Sequence, residues 1–297
     1  MMVINDPMNR ALAMYERTTK KKATSIRLIQ DKGNYIYKID FIVAVRIKKP
    51  NPTDDPFYSP DVELRIIEGL LQSGKDGPVP PIWAFEMRRG DKMEAWIPSK
   101  GNLHLREANG NFNMPVIYGV VDSIKEMHAV PPSVKQDFRF EQRYYSYKKK
   151  AGVSLPEGFE RSVLKTAVSS LRNSRQVISH NDLHEGNIIL TESCRRAVYF
   201  CDFEFAALNG ELFDLASLIE ENNLDDITEL LLTRYLGMNY TPNALYQMKI
   251  LITALDGLWY YWALGRLQDT ADPVFADIAK EKKERFLRAF RESIDQD

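Results

Sequence analysis

Between residues 25 and 98 the apolar positions fall in short β-rich runs, the pattern of strands. The segments 25–29, 35–39, 41–47, 82–85 and 93–97, rich in Ile, Val, Tyr and Trp, each predict a strand. Pro50, Pro52, Pro56 and Pro60 mark a loop among them. From 61 to 71 the pattern changes, with Leu64, Ile67, Leu70 and Leu71 at helical spacing and a stop near Gly74. Beyond Gly101 helical patterns dominate. Segment 116–128 is apolar at Val116, Val120, Val121, Ile124 and Met127, segment 161–171 continues the helical period, and 243–291 is almost wholly of that type. Residues 1–23 read as a helical or loose lead, and 148–158, with three lysines and two glycines, as a loop.

One stretch departs from this pattern and organises the rest. Ile178-Ser179-His180-Asn181-Asp182-Leu183-His184-Glu185-Gly186-Asn187-Ile188-Ile189-Leu190 has an apolar approach, a polar loop and an apolar exit; Val198-Tyr199-Phe200-Cys201-Asp202-Phe203-Glu204-Phe205 is a second apolar run ending in acid. The interval from Asn187 to Asp202 suits a hairpin that returns the second strand beside the first. Asp182, Asn187 and Asp202 are then oxygen ligands or proton handlers near one point. Phosphoryl transfer from a metal-bound nucleotide needs such a set, because the attacking alcohol must lose a proton while the phosphate charge is neutralised. Either pair alone is also an ordinary turn former. The spaced combination is the specific signal.

Composition narrows the function without choosing it. The 297 residues suffice for one large core or two lobes. Forty basic against forty-one acidic residues leave a formal charge of -1, which gives no general attraction for nucleic acid. Only Cys194 and Cys201 are present, too few for a disulfide framework or a thiolate metal site. No apolar run reaches the length of a membrane span, so no membrane insertion and a cytoplasmic location are expected.

The spacing H-N-D-x-x-x-x-N followed by D-F-E resembles the catalytic and metal loops of the choline/ethanolamine kinase and aminoglycoside phosphotransferase superfamily. That resemblance implies an α+β, two-lobed protein-kinase-like fold: a lead at 1–24, a small β-rich nucleotide lobe with one main helix at 25–98, and a larger, mostly helical catalytic and substrate lobe at 99–297. It makes Asp182 the catalytic base and Asn187 and Asp202 the Mg²⁺ ligands, with Glu204 as a further acidic residue at the metal. Arg46 on the third strand and Glu63 on the helix become the phosphate cation and the acid that orients it. From patterning alone a lone Arg on an alternating strand faces solvent more often. Gly33 and Asn34 stand at the phosphate-loop turn, where one glycine either offers an amide to phosphate or simply forms the turn, and Ile97 opens the hinge beneath an adenine. His180 is expected to orient the loop, and His184 to meet phosphate or solvent.

The same likeness implies an acceptor site. Asp214, in the stretch Asn209-Gly210-Glu211-Leu212-Phe213-Asp214-Leu215-Ala216, would brace the catalytic loop; read alone it is a helix cap. Phe205, Glu221, Asp256, Trp259 and Trp262 would line the pocket of a cationic acceptor, and Asp256 stands where choline kinases carry the first Trp of a Trp-x-x-Trp pair. Aromatic faces attract quaternary ammonium, although a buried aromatic stripe is more often core, and of Glu220 and Glu221 only one is expected to point inward. The implied activity is ATP- and Mg²⁺-dependent phosphorylation of choline. Another amino-alcohol or an aminoglycoside is the alternative acceptor, and a non-catalytic binding module the remaining reading.

Overall fold

A computed structural model describes residues 6–30, 34–40, 42–47, 57–72, 78–80, 82–86, 91–95, 104–191 and 197–294. The fold is two-lobed and α+β, with a small β-sheet lobe carrying one main helix and a larger helical lobe. By packing, the chain divides into two interleaved compact units, 1–134 with 186–206 and 135–185 with 207–297.

The first unit opens with α1 (Pro7–Thr19), capped by Asp6, whose carboxylate accepts from Asn9 N at 3.1 Å. Strands β1 (Ile26–Gln30), β2 (Tyr35–Ile39) and β3 (Val43–Ile47), helix α2 (Pro60–Gln72), and strands β4 (Ile82–Glu86) and β5 (Asp91–Ala95) follow. The strands form an antiparallel sheet in the order β1-β2-β3-β5-β4. All five residues of β3 are buried, so this strand does not alternate between core and water. Helix α1 accounts for one face: its Ala11, Met14 and Tyr15 cover Tyr37, Ile39, Val43, Val45, Ile47 and Met93. Successive side chains alternate between faces, so Ala44 and Arg46 are left on the opposite face. Helix α3 (Met114–Ala129) and the hairpin of β7 (Ile188–Leu190) and β8 (Val198–Phe200) complete the unit.

The second unit contains α4 (Phe140–Ala151), α5 (Glu157–Asn173), β6 (Gln176–Ser179), β9 (Ala207–Gly210), α6 (Phe213–Glu221), α7 (Thr228–Leu236), α8 (Pro242–Thr270) and α9 (Val274–Ile294). Helix α8 is its spine, with α4, α5, α6 and α9 packed on it. It is capped by Thr241, which accepts from Ala244 N at 3.1 Å, and has Pro242 at its first turn. Buried Glu160 of α5 is satisfied by Tyr261 Oη at 2.8 Å, Tyr144 Oη at 3.1 Å and Lys148 Nζ at 2.6 Å. Gly257 lets α4 come close, since a Cβ there would meet the Tyr144 hydroxyl and ring.

Lys148, Lys149 and Lys150 are not loop residues. They form the last turn of α4, where cations favour the negative helix end, and Gly152 closes the helix at φ 68°. No helix among the described residues is long and apolar enough to cross a membrane.

Candidate active site

Within the first unit the hairpin determines where two oxygen donors lie. Strands β7 and β8 pair antiparallel with Ile188 opposite Phe200. The ladder extends one step further, with Cys201 N donating to Asn187 O at 3.0 Å. Asn187 and Asp202 therefore share the same end of the hairpin. The chain leaves β8 through Asp202 in the left-handed region, φ 62°, a conformation Asp and Asn tolerate better than other side-chain-bearing residues. It then enters the short turn Phe203–Phe205, which packs against α2. Phe205 is buried there and Glu204 half-buried. Burial and the carboxylates of Glu94 and Asp202 push the Cys201 thiol up to about 12, so it is a neutral filler; Cys194 lies outside the described residues.

Arg46 is the electrostatic centre of this unit, not a solvent-facing residue. Its Nη2 lies 2.8 Å from Glu63 Oε1 and its Nη1 2.8 Å from Asp202 Oδ1. Burial opposes the guanidinium charge, but Glu63 and Asp202 outweigh it and hold the pKa well above its ordinary value. Burial likewise penalises the Glu63 carboxylate, and Arg46 and Lys92 overcome that and lower its pKa. Tyr58 Oη adds a hydrogen bond to Glu63 Oε2 at 2.9 Å. The cation and acid expected from strand three and the helix are thus joined, and Asp202 is joined to them.

Lys92 and Tyr58 were not legible as site residues. Lys92 lies directly across the β3–β5 ladder from Arg46 and is buried, with Glu94 Oε2 2.9 Å from its Nζ. Its only sequence signal is position on the second strand after the helix. Asn34 is buried at the head of β2; Gly33 and Ile97 lie outside the described residues.

In the second unit, α6 clamps the loop after β6 by its backbone. Asp214 Oδ2 accepts from His180 N at 2.9 Å and Asp214 Oδ1 from Asn181 N at 2.8 Å. Ser217 Oγ accepts from Leu183 N at 3.0 Å, and Asn222 Nδ2 donates to Leu183 O at 2.9 Å. Asn209 Nδ2 donates to Asn181 Oδ1 at 2.8 Å, which supports Asn181 at φ 68°. Asp214 is therefore the brace expected from the resemblance and not a cap of its own helix. His180 is fully buried, while Asp182 keeps its carboxylate partly exposed, 3.8 Å from His184 Nε2. Replacing Asp214 with Ala strands two buried N–H groups. It is expected to cost about 2–5 kcal/mol of stability, read as the shift of the urea unfolding midpoint.

The expected acceptor residues of this unit lie on α6 and α8. Trp259 is buried, Trp262 is half-buried, and their rings meet edge-on at 5.8 Å, with Phe275 against Trp262 at 5.6 Å. The expectation that only one of Glu220 and Glu221 turns inward is corrected. Glu220 is fully buried and the Glu221 side chain is 16% exposed, because Lys282 from α9 lies 2.6 Å from the first and 3.5 Å from the second. Asp256 Oδ1 accepts from Arg285 Nε at 2.7 Å. Neither α9 cation is legible in the sequence, since a 3.6-residue period on a polar helix does not say which lysine or arginine turns inward.

Residues 116–269, more than half of the chain, match the sequence profile of choline/ethanolamine kinase. The chain belongs to the choline/ethanolamine kinase family. Protein LicA homolog of Metamycoplasma hominis is 38% identical over 80 residues, which are 27% of this chain and 31% of that protein; the match thus spans about a third of that relative's length. In fold, the chain is similar to choline kinase LicA from Streptococcus pneumoniae, with a TM-score of 0.68 and 16% identity over 95% of this chain and 100% of that one. It is also similar to a choline/ethanolamine kinase family protein from Mesorhizobium loti, with a TM-score of 0.67 and 17% identity over 96% and 90%. Mg²⁺ is the metal that the likeness of the 178–205 run leads one to expect.

The donors present suit such a metal. Among the described residues no three His, Cys, Asp or Glu side chains gather into a ready site. Asn187, Asp202 and Glu204 instead offer hard oxygen donors at or near one hairpin end. Mg²⁺ is commonly held by one or two carboxylates, with phosphate and water completing its octahedron.

Proposed function

We propose that this protein transfers the γ-phosphoryl group of ATP to the hydroxyl of a small amino-alcohol, choline first. The observation that carries this reading is the Glu63–Arg46–Asp202 ion-pair chain at the hairpin end where Asn187 also lies. A guanidinium held between two carboxylates is fixed in place for nucleotide phosphates, and it stays charged at any working pH. Asn187 and Asp202, with Glu204 near them, would hold Mg²⁺, which neutralises phosphate oxygens when bound. Asp182 orients the acceptor hydroxyl and takes its proton as the oxygen attacks phosphorus. Asn34, Gly33 and Ile97 complete the nucleotide grip in this reading. In this reading Glu221, Asp256, Trp259 and Trp262 bind the acceptor's cation, and Phe205 is assigned to the acceptor by resemblance alone.

Choline is favoured by the edge-on Trp259–Trp262 pair and by the likeness to a choline kinase. A primary ammonium such as that of ethanolamine is the second reading, supported by the acid-rich surroundings of Glu221, which reward a cation with N–H groups. Competition assays with choline, ethanolamine and aminoglycosides decide the order. The expected result is the highest kcat/KM for choline, and a clear preference for an aminoglycoside overturns the amino-alcohol assignment.

Trp259→Ala provides a separate check on the acceptor site. Loss of one cation–π face is worth about 0.5–2 kcal/mol, so the Michaelis constant for the amine is expected to rise roughly tenfold while that for ATP changes by less than about twofold. Equal changes in both constants would place Trp259 in the core alone.

A further inference from the structure

The end of α6 carries two acids in a row, and both are drawn inward. Glu220 and Glu221 of α6 and Asp256 of α8 form a buried group of carboxylates, which Lys282 and Arg285 of α9 enter as the balancing cations. Lys282 Nζ lies 2.6 Å from Glu220 Oε1 and 3.5 Å from Glu221 Oε2. Arg285 Nε lies 2.7 Å from Asp256 Oδ1, and its Nη1 is shared with Asp225 Oδ2 at 2.7 Å and Asn223 Oδ1 at 2.9 Å.

Counted by charge, three inward carboxylates face two cations, one of which also serves Asp225. Asp182, on the loop after β6, adds negative potential at Glu221. Glu220 is wholly buried, and its carboxyl lies within hydrogen-bonding reach of those of Glu221 and Asp256, a contact between acids that only a shared proton can make favourable. A bare surplus charge in such a place is costly, and the group is neutralised by a proton or by an arriving cation. Consistent with this, burial and then Glu220 push the carboxyls of both Glu221 and Asp256 well above the usual carboxylate range.

We propose that Glu220 is a positioning residue for the acceptor: through it the cluster holds one proton in the free protein and releases it to solvent when the acceptor's cation arrives beside Glu221. This rests on the amino-alcohol reading above. The exchange balances, since one carboxyl O–H becomes a carboxylate, one proton leaves and one positive charge enters. Below the titration of the cluster, acceptor affinity then rises about tenfold per pH unit, because each binding event must shed a proton. An aromatic cage working alone has no such dependence.

The test is calorimetric titration of the full chain with choline and with ethanolamine near neutral pH, in two buffers of different ionisation heat. The expected result is close to one proton released per acceptor bound. Glu220→Gln leaves two carboxylates against two cations; it should bind acceptor at least about tenfold more weakly and release no proton, while Glu220→Asp should restore release. Binding without proton release by the native protein, or an unchanged proton count in Glu220→Gln, overturns the proposal alone. Failure of both amines to bind overturns the amino-alcohol reading and this proposal with it. The native proton count stands even if a variant does not fold.

Discussion

Replacing Asp202 with Asn is expected to lower Mg²⁺-dependent turnover by about a thousandfold or more while the protein stays folded. Asn adopts the left-handed backbone found at 202 as readily as Asp, and its amide oxygen still accepts from Arg46 Nη1. What disappears is the negative charge that would hold the metal. Metal-borne charge stabilisation amounts to several kcal/mol, and about 1.36 kcal/mol corresponds to a factor of ten in rate. Initial rates against magnesium concentration, with folding checked by circular dichroism, supply the measurement. Undiminished turnover in this variant would remove Asp202 from the metal site and leave it as a structural partner of Arg46.

The second large effect is expected at Asp182. Asp182→Asn should reduce kcat by about 10²–10⁴, the usual contribution of a positioned general base, with the Michaelis constants for ATP and amine within about twofold of the native values. Stability should change little. The loop around it is held through the backbone groups of His180, Asn181 and Leu183, bonded to Asp214, Ser217 and Asn222, and its own carboxylate is partly exposed. A variant that loses substrate affinity and keeps kcat would make Asp182 a binding residue instead.

The parts legible in the sequence are those written locally. The strands of the sheet, the main helix α2 and the paired strands β7 and β8 each follow from local patterning within a few residues. Asp214 could be read as a brace only through the family likeness, because its partners at 180 and 181 lie more than thirty positions away. The face of Arg46 depended on α1 covering the other side of the sheet, which no pattern around position 46 announces. The α9 pairs follow the same logic. Lys282 and Arg285 sit on a helix rich in charge, and only packing against α8 selects them over their neighbours. The end of helix α4 is written locally after all: aromatic residues, basic side chains in the last turn and Gly152 just beyond are a legible helix end, although the lysine run by itself reads as a loop.

The most direct test of phosphoryl transfer follows the label from γ-labelled ATP. Native protein incubated with choline, ethanolamine and aminoglycosides, with magnesium and with excess chelator, should place the label on an amino-alcohol hydroxyl in magnesium and on nothing in chelator. Label transfer that ignores the chelator, or folded protein that transfers label to none of these acceptors, would contradict the account.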